Sequence, residues 1–228
     1  MPAFSTPSLV TASLVLLSAA CSSKSRADRT HAADSTVATA PASSATSVSA
    51  ADAAPDTAER SRKRAQLEYA NMEAGFIGDS TAQWAATVRA STSFGETAGQ
   101  PVDSTSPNAP QNARGAPDGR SWTNNNQSIG TDWLEAGFAT PVSATEVRVV
   151  TTKGASAFSK LELIDVGGAS HVVWSGVNED APEKRGERTW FIRRFDATPY
   201  QVKAARVTIA NAVESNYKEI DAVQLVGR

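Results

Sequence analysis

From residue 83 to the last residue, Arg228, short apolar and polar positions alternate, and Gly, Pro, Asn and Asp interrupt them at short intervals. Such alternation is typical of an antiparallel β-sandwich, because every strand turns one face to the core and the other to solvent. The predicted strands cover residues 84–91, 132–138, 145–151, 159–166, 171–175, 189–195, 204–210 and 219–226. The pattern therefore predicts an all-β domain over residues 83–228.

The first residues of the chain follow another pattern. An apolar and small-residue run over residues 9–20 ends at Cys21, and polar Ser22 follows at once. This segment, over residues 1–21, resembles a bacterial lipoprotein signal, in which the cysteine thiol accepts the lipid anchor. The run is too short to span a membrane. The alternative is a plain secretory signal with an unmodified cysteine, and both interpretations place the protein outside the cytoplasm.

Two further segments separate this signal from the β-domain. Residues 22–55 are rich in Ala, Ser and Thr and poor in large apolar side chains, so they predict a disordered linker. Asp56, followed three residues later by Glu59, has the pattern of a capping box at a helix start. No Pro or Gly follows until Gly75, which predicts a helix over residues 56–75.

Charge and composition exclude several classes of protein. The chain has 22 basic and 24 acidic residues and no dense basic face, which argues against a DNA or RNA partner. With one cysteine and two histidines, it cannot build an internal disulfide, a Cys/His zinc site or a Cys/His nucleophile pair. A binding module or an enzyme built on carboxylates remains.

Several motifs of the β-domain occur in an order that resembles a known family. They are Gly-Ala-Pro-Asp-Gly at residues 115–119 with Trp122, Leu-Glu-Ala-Gly-Phe at 134–138, Lys-Leu-Glu-Leu-Ile-Asp at 160–165 and Glu-Ile-Asp-Ala-Val at 219–223. In this order they resemble the discoidin-type (coagulation factor 5/8 C-terminal) domain of the galactose-binding-like superfamily. The resemblance implies a jelly-roll β-sandwich whose loops at one end bind sugars, lipid head groups or proteins.

Strand parity predicts which loops share an end of the sandwich. Every antiparallel connection reverses direction, so alternate loops emerge together, and the longer ones, at residues 92–131, 152–158, 176–188 and 211–218, share one rim. Asn and Arg side chains suit paired hydrogen bonds to sugar hydroxyls, and Tyr suits stacking on a sugar ring. The candidate ligand-binding residues are Arg120, Trp122, Asn124, Asn125, Lys153, Asn216 and Tyr217. The alternative for residues 124–126 is that these asparagines only stabilise a turn. For Trp122, the resemblance implies that the side chain packs into the core.

The resemblance also implies a structural calcium ion, held between the turn at Asp118 and the carboxylate of Glu219 at the start of the last strand. Calcium takes six or more oxygen ligands, most of which a turn supplies from backbone carbonyls. Alternatively, Asp118 caps its turn and Glu219 is a rim charge, with Asp221 a rival on the same strand.

Familiar catalytic motifs are absent from the sequence, so we do not expect an enzyme. The function that we predict is noncovalent binding of a carbohydrate or another envelope polymer by a lipid-anchored protein of the bacterial cell envelope. Ser22 after the cysteine implies the outer membrane where the host has one. The alternative is a structural or assembly protein that binds another envelope protein. A third possible function is that of a hydrolase whose two catalytic carboxylates come from Glu179, Asp180 and Glu183.

Overall fold

The described part of the chain begins with one long helix. The computed structural model describes residues 53–98, 100–179 and 188–228, so the predicted signal and the predicted linker up to residue 52 lie outside it. Helix α1 (Ala53–Ile77) contains the helix predicted over residues 56–75. It begins before Asp56, which corrects the predicted N-cap. Pro55 lies in its first turn, where the N–H groups have no acceptor within the helix.

The strands form two antiparallel sheets. Those in the described residues are β1 (Ala82–Trp84), β2 (Thr87–Ala90), β3 (Trp122–Thr123), β4 (Thr131–Lys153), β5 (Phe158–Asp165), β6 (Ser170–Ser175), β7 (Thr189–Arg194), β8 (Gln201–Ala210) and β9 (Glu219–Gly227). In sheet A, β1 and β3 pair with β9, which pairs with β4, and β4 pairs with β7. Sheet B has the order β2–β4–β8–β5–β6. This antiparallel β-sandwich confirms the predicted fold class.

Strand β4 belongs to both sheets. Residues 131–143 pair with β8 in sheet B, and residues 144–153 pair with β9 in sheet A. The backbone stays extended through exposed residues 139–141, which corrects the two separate strands predicted here. The predicted strand over residues 84–91 is divided instead, because β1 joins sheet A and β2 joins sheet B.

The path of β4 brings both of its ends to one rim of the sandwich. Thr131 pairs with Ala210, and Lys153 pairs with Glu219. The segment 211–218 joins these two partners, so it connects the sheets at the same end. The loops at 91–130, 154–157 and 211–218 therefore share this rim, as the parity argument requires.

The core lies between the sheets and consists of the inward positions of the alternating strands. Trp122, Leu134, Val147, Leu163 and Ile209 are fully buried there. Alternation predicted the inward residues Val147, Leu163 and Val207 correctly, because a period of two places every second side chain on one face. In β6 it was wrong, because the predicted inward residue Val172 is exposed and its neighbour Val173 packs against the core, next to a shift in the register between β5 and β6. Burial of apolar surface in this cluster is the main stabilising contribution to the sandwich.

Helix α1 covers the outer face of sheet A. Tyr69 packs with Val150, Trp190 and Ala222 in a second buried cluster, against which Phe76 also packs. The Tyr69 hydroxyl donates a hydrogen bond of 2.6 Å to the carbonyl of Arg188. The helix is therefore part of the folded domain. Within the described residues, no helix has the length and apolar character that a membrane span requires.

Candidate functional site

A cavity of about 440 Å³ opens at the rim where both ends of β4 lie. Its walls come from the long loop after β2, from β3, from the end of β4 and from the segment that leads into β9. The lining residues are Phe94, Asn108, Thr123, Gln127, Lys153, Asn216, Tyr217 and Glu219. Three of the predicted ligand-binding residues, Lys153, Asn216 and Tyr217, are thus brought together, and we call this space the rim cavity.

An aromatic pair forms one side of the rim cavity. The rings of Phe94 and Tyr217 meet edge to face, with 4.7 Å between their centroids and 76° between their planes. Phe94 is 40% exposed, although apolar side chains of this size are usually buried. The pair holds the Tyr217 ring in a fixed orientation beside the open space.

A neighbouring wall of the rim cavity carries an ion pair. The Lys153 ammonium lies 2.7 Å from Glu219 Oε1, and Thr152 donates its hydroxyl to Glu219 Oε2 at 2.7 Å. The Lys153 side chain is 61% exposed, so this pair contributes little to stability. It leaves a charged donor and a charged acceptor side by side within reach of a ligand.

Amide side chains complete the lining. Those of Asn108, Gln127 and Asn216 have no hydrogen-bond partner among the described residues. Gln127 and Asn216 are exposed, and Asn108 is half-buried. An amide offers two donors and one acceptor, so the three side chains retain their full capacity for a polar ligand.

Below the rim, a polar cluster connects the loops to β4. Asp132 is 1% exposed and its Oδ2 accepts hydrogen bonds from the amides of Asn124 at 3.0 Å and Asn211 at 2.9 Å. Burial by itself raises the pKa of Asp132, but the hydrogen bonds that the amides and two hydroxyls donate outweigh it, and the pKa lies below its ordinary value. This cluster gives Asn124 a structural role.

Two predicted ligand-binding residues are buried, which corrects their assignment. Asn124 is 0% exposed because its amide binds Asp132 and Asn211. Trp122 is also 0% exposed, and its indole N–H donates to the carbonyl of Thr92 at 2.9 Å. Neither side chain contacts solvent, so neither is available to a ligand at the surface.

Arg120 and Asn125 lie near the surface but do not line the rim cavity. The Arg120 guanidinium binds the Asp118 carboxylate at 2.6 Å. Asn125 is half-buried, and its backbone N–H donates to the Thr92 hydroxyl at 3.2 Å. The Arg120 guanidinium is thus paired with Asp118, and the Asn125 amide donates to the carbonyl of Glu96 at 3.5 Å, so neither side chain contributes to the lining.

The predicted calcium ligands do not form a common site. Both oxygens of Asp118 accept hydrogen bonds from Arg120, and Glu219 pairs with Lys153. The carboxylate that meets the Asp118 turn is Asp221, which accepts the backbone N–H groups of residues 118 and 119 at 3.2 and 3.1 Å. Burial raises the pKa of Asp221.

A cation binds oxygens, whereas this turn directs N–H donors at a carboxylate, so the arrangement does not fit calcium. The described residues also contain no cluster of three or more His, Cys, Asp or Glu side chains suited to a metal ion. Asp221 is therefore the group that closes the turn in the described structure.

The carboxylates suggested for a hydrolase are not assembled in the described structure. Glu179 is exposed, and Asp180 and Glu183 lie outside the described residues. At the opposite end of the sandwich, His171 binds Asp165 at 2.8 Å and stacks on Tyr200 with 3.8 Å between centroids.

Sequence reasoning missed Phe94, Asn108, Thr123 and Gln127 as lining residues. All except Thr123, which lies in β3, belong to the long loop that parity placed at this rim. Their residue types are common in loops, and no periodicity indicates which of them face the cavity. The exposed Phe94 was the one available signal, because a large apolar residue in a polar loop requires a packing partner.

Comparisons with known proteins find similar solved structures at low sequence identity. No protein-family model and no curated protein matches the chain. A chitosan-binding module from a chitosanase/glucanase of Paenibacillus sp. IK-5 is 11% identical, covering 62% of this chain and 94% of that chain with a TM-score of 0.46. The family 32 carbohydrate-binding module of Clostridium perfringens NanJ, in complex with galactose, is 11% identical, covering 63% and 98% with a TM-score of 0.40.

A pectin-binding carbohydrate-binding module is 18% identical, covering 64% of this chain and 91% of that chain with a TM-score of 0.42. Structural neighbours of the chain thus include family 32 carbohydrate-binding modules, which have the discoidin-like, galactose-binding-like fold that the sequence motifs resemble. At these identities and TM-scores, the similarity identifies no ligand for this chain.

Proposed function

We propose that this protein binds carbohydrate noncovalently in the rim cavity. The observation that supports the proposal is a set of three amides with no hydrogen-bond partner in the described parts of the chain, Asn108, Gln127 and Asn216, beside the ring of Tyr217. Sugar hydroxyls both donate and accept hydrogen bonds, as amides do, and the C–H face of a sugar ring packs on an aromatic ring. The Lys153–Glu219 pair adds a charged donor and a charged acceptor.

The same lining favours a sugar over the other candidates. A protein-docking rim is expected to be flat and apolar, whereas this cavity is concave and combines polar side chains with one aromatic pair. Glycoside hydrolysis needs two carboxylates, and Glu219 is the one carboxylate among the described residues that line the cavity. We therefore propose binding without turnover.

The setting of this activity is a proposal from the sequence. Cys21 is the acceptor of the lipid anchor, and the segment up to residue 52 links it to the domain. In this arrangement the protein displays the rim cavity on the bacterial envelope, in the outer membrane where the host has one, toward a carbohydrate or another envelope polymer.

An array of glycans and envelope polymers tests the proposal with the full chain. Tyr217→Ala and Asn216→Ala each remove one contact in the cavity, and Gln201→Ala is the matched control, because Gln201 is an exposed amide at the opposite end of the sandwich. Polar contacts contribute about 0.5 to 1.5 kcal/mol each, so Asn216→Ala should weaken binding about two- to tenfold. Tyr217→Ala should weaken it at least as much.

The control variant should bind like the wild type, and the melting temperature should change little for Asn216→Ala and Gln201→Ala, since both positions are exposed. Retention of no glycan by the wild type would contradict the proposal. Equal loss of affinity in Gln201→Ala would show that the ligand does not occupy the rim cavity. Cleavage of the bound polymer would show an enzyme instead.

A further inference from the structure

Lys218 is the most unusual residue beneath the rim cavity. Its side chain is 0% exposed, whereas lysines are rarely fully buried without compensating partners. Burial lowers its pKa, and the charges of Glu214 and Asp132 act in the opposite direction. Transfer of an ammonium group out of water costs several kcal/mol unless its donors are satisfied, so its surroundings must supply strong acceptors.

Those acceptors are backbone carbonyls from separate parts of the rim. Lys218 Nζ donates to the carbonyl of Gln127 at 2.5 Å, of Asn211 at 3.1 Å and of Glu214 at 2.5 Å. An ammonium group has three donors and a neutral amine only two. Because all three partners are acceptors only, the arrangement requires the charged form of Lys218.

The backbone of Lys218 adds two more connections. Its N–H donates to Asn124 Oδ1 at 2.8 Å, and its carbonyl accepts from the backbone N–H of Asn124 at 3.2 Å. Gly154, at a φ of +83°, packs on the lysine stem so closely that a Cβ there would lie 2.4 Å from Lys218 Cγ. Lys218 therefore contacts all three of the described rim loops at residues 91–130, 154–157 and 211–218.

A residue that Lys218 contacts, and both of its neighbours in the chain, line the rim cavity. Gln127, whose carbonyl accepts from Lys218, lines it. Tyr217 and Glu219, on either side of Lys218 in the chain, line it too. Successive side chains of an extended segment point to opposite sides, so an inward Lys218 places its neighbours toward the cavity.

We infer that Lys218 is a positioning residue that acts as a built-in cation, drawing together the carbonyls of residues 127, 211 and 214 and thereby fixing the shape of the rim cavity. A bound metal ion holds loops together in the same way, through carbonyl oxygens from several segments. The inference concerns the order of the loops. It is tested without a ligand, so its outcome is independent of whether the cavity binds sugar.

Native-state hydrogen exchange on Lys218→Met tests the inference, because Met keeps the length of the side chain and removes the charge and the donors. For each amide we compare the exchange rate in the variant with that in the wild type. We expect this ratio to be at least about tenfold larger for the backbone amides at this rim, Phe94, Asn124 and Asn211, than for Gly168 and Thr198 at the opposite end. Equal acceleration at both ends would overturn the inference, because Lys218 would then act only on global stability. No acceleration at either end would overturn it as well, because the rim loops would then stay ordered without the charge.

A matched control and a rescue experiment complete the test. Lys203→Met removes a partly exposed lysine at the opposite end, whose Nζ donates to one carbonyl, and should leave exchange at the rim unchanged. Lys218→Ala lacks the atoms of n-propylammonium, so refolding with that ion should raise its melting temperature and the yield of folded protein, whereas n-propanol should not. Equal rescue by both compounds, or rescue by neither, would contradict a role for the charge. This second experiment remains decisive if Lys218→Met does not fold.

Discussion

Asp132→Asn is the substitution whose effect follows most directly from the structure. Asp132 Oδ1 accepts hydrogen bonds from the hydroxyls of Ser91 at 2.9 Å and Thr92 at 2.8 Å, and Oδ2 accepts from the amides of Asn124 and Asn211. Every partner is a donor. An asparagine at this position keeps the shape of the side chain, removes the charge and turns one acceptor into a donor.

The magnitude can be worked from these contacts. Hydrogen bonds to a charged group contribute about 1.5 to 3 kcal/mol and neutral ones about 0.5 to 1.5, so loss of the charge weakens each amide contact by about 1 kcal/mol. Reversal of the hydroxyl contacts adds about 1 kcal/mol more. We expect a decrease of about 3 kcal/mol in the free energy of unfolding at pH 7, which lowers Tm by about 6 to 12 °C for a domain of this size.

The pH dependence has a definite sign. The folded-state pKa of Asp132 lies below the ordinary value of 3.8, so as the pH falls the unfolded chain takes up the proton first. The contribution of Asp132 is therefore fully present above about pH 4 and is lost as the pH falls through the folded-state pKa. The amide that replaces the carboxylate in Asp132→Asn does not titrate, so the stability difference between the two proteins should narrow below about pH 4.

Urea unfolding of both proteins from pH 7 to pH 3 measures this difference. The matched control is Asp103→Asn, because Asp103 is exposed and, within the described residues, its carboxylate accepts hydrogen bonds only from Thr105 in its own turn. It should change stability by less than about 0.5 kcal/mol. A stability difference for Asp132→Asn that stays constant between pH 7 and pH 3 would refute the role assigned to its charge.

Two further predictions concern the anchor and the metal. Cys21→Ser should abolish lipid labelling and release the protein from the membrane fraction, because the proposed anchor is attached through the Cys21 thiol. A wild-type protein that is soluble after export would count against the anchor, and fractionation with the inner membrane would count against the outer-membrane assignment. A chelator should leave the melting temperature unchanged, because Asp118 is paired with Arg120 and Glu219 is paired with Lys153. If a chelator lowers the melting temperature by several degrees and added calcium reverses the change, the predicted calcium site is present.

The fold was predictable from the sequence because it depends on local alternation. A period of two specifies which side chains of a strand face the core, and antiparallel reversal then specifies which loops share an end. These two rules placed Lys153, Asn216 and Tyr217 at the rim where the structure has them. They did not show that β4 is one continuous strand. The few exposed residues at which β4 passes from one sheet to the other look the same in the sequence as a short loop between two strands.

Tertiary structure decided which loop side chains are buried and which are exposed. Asn124 and Asn125 are adjacent and identical, yet one is buried against Asp132 and the other is half-buried and binds Thr92 through its backbone. The same holds for Lys153 and Lys218, one on the surface and the other enclosed by three carbonyls. Loops have no repeating period, so the direction of each side chain is decided by contacts with residues distant in the chain. The sequence by itself therefore determined the sandwich and the rim, and only long-range hydrogen bonds decided which residues form the cavity and which support it from below.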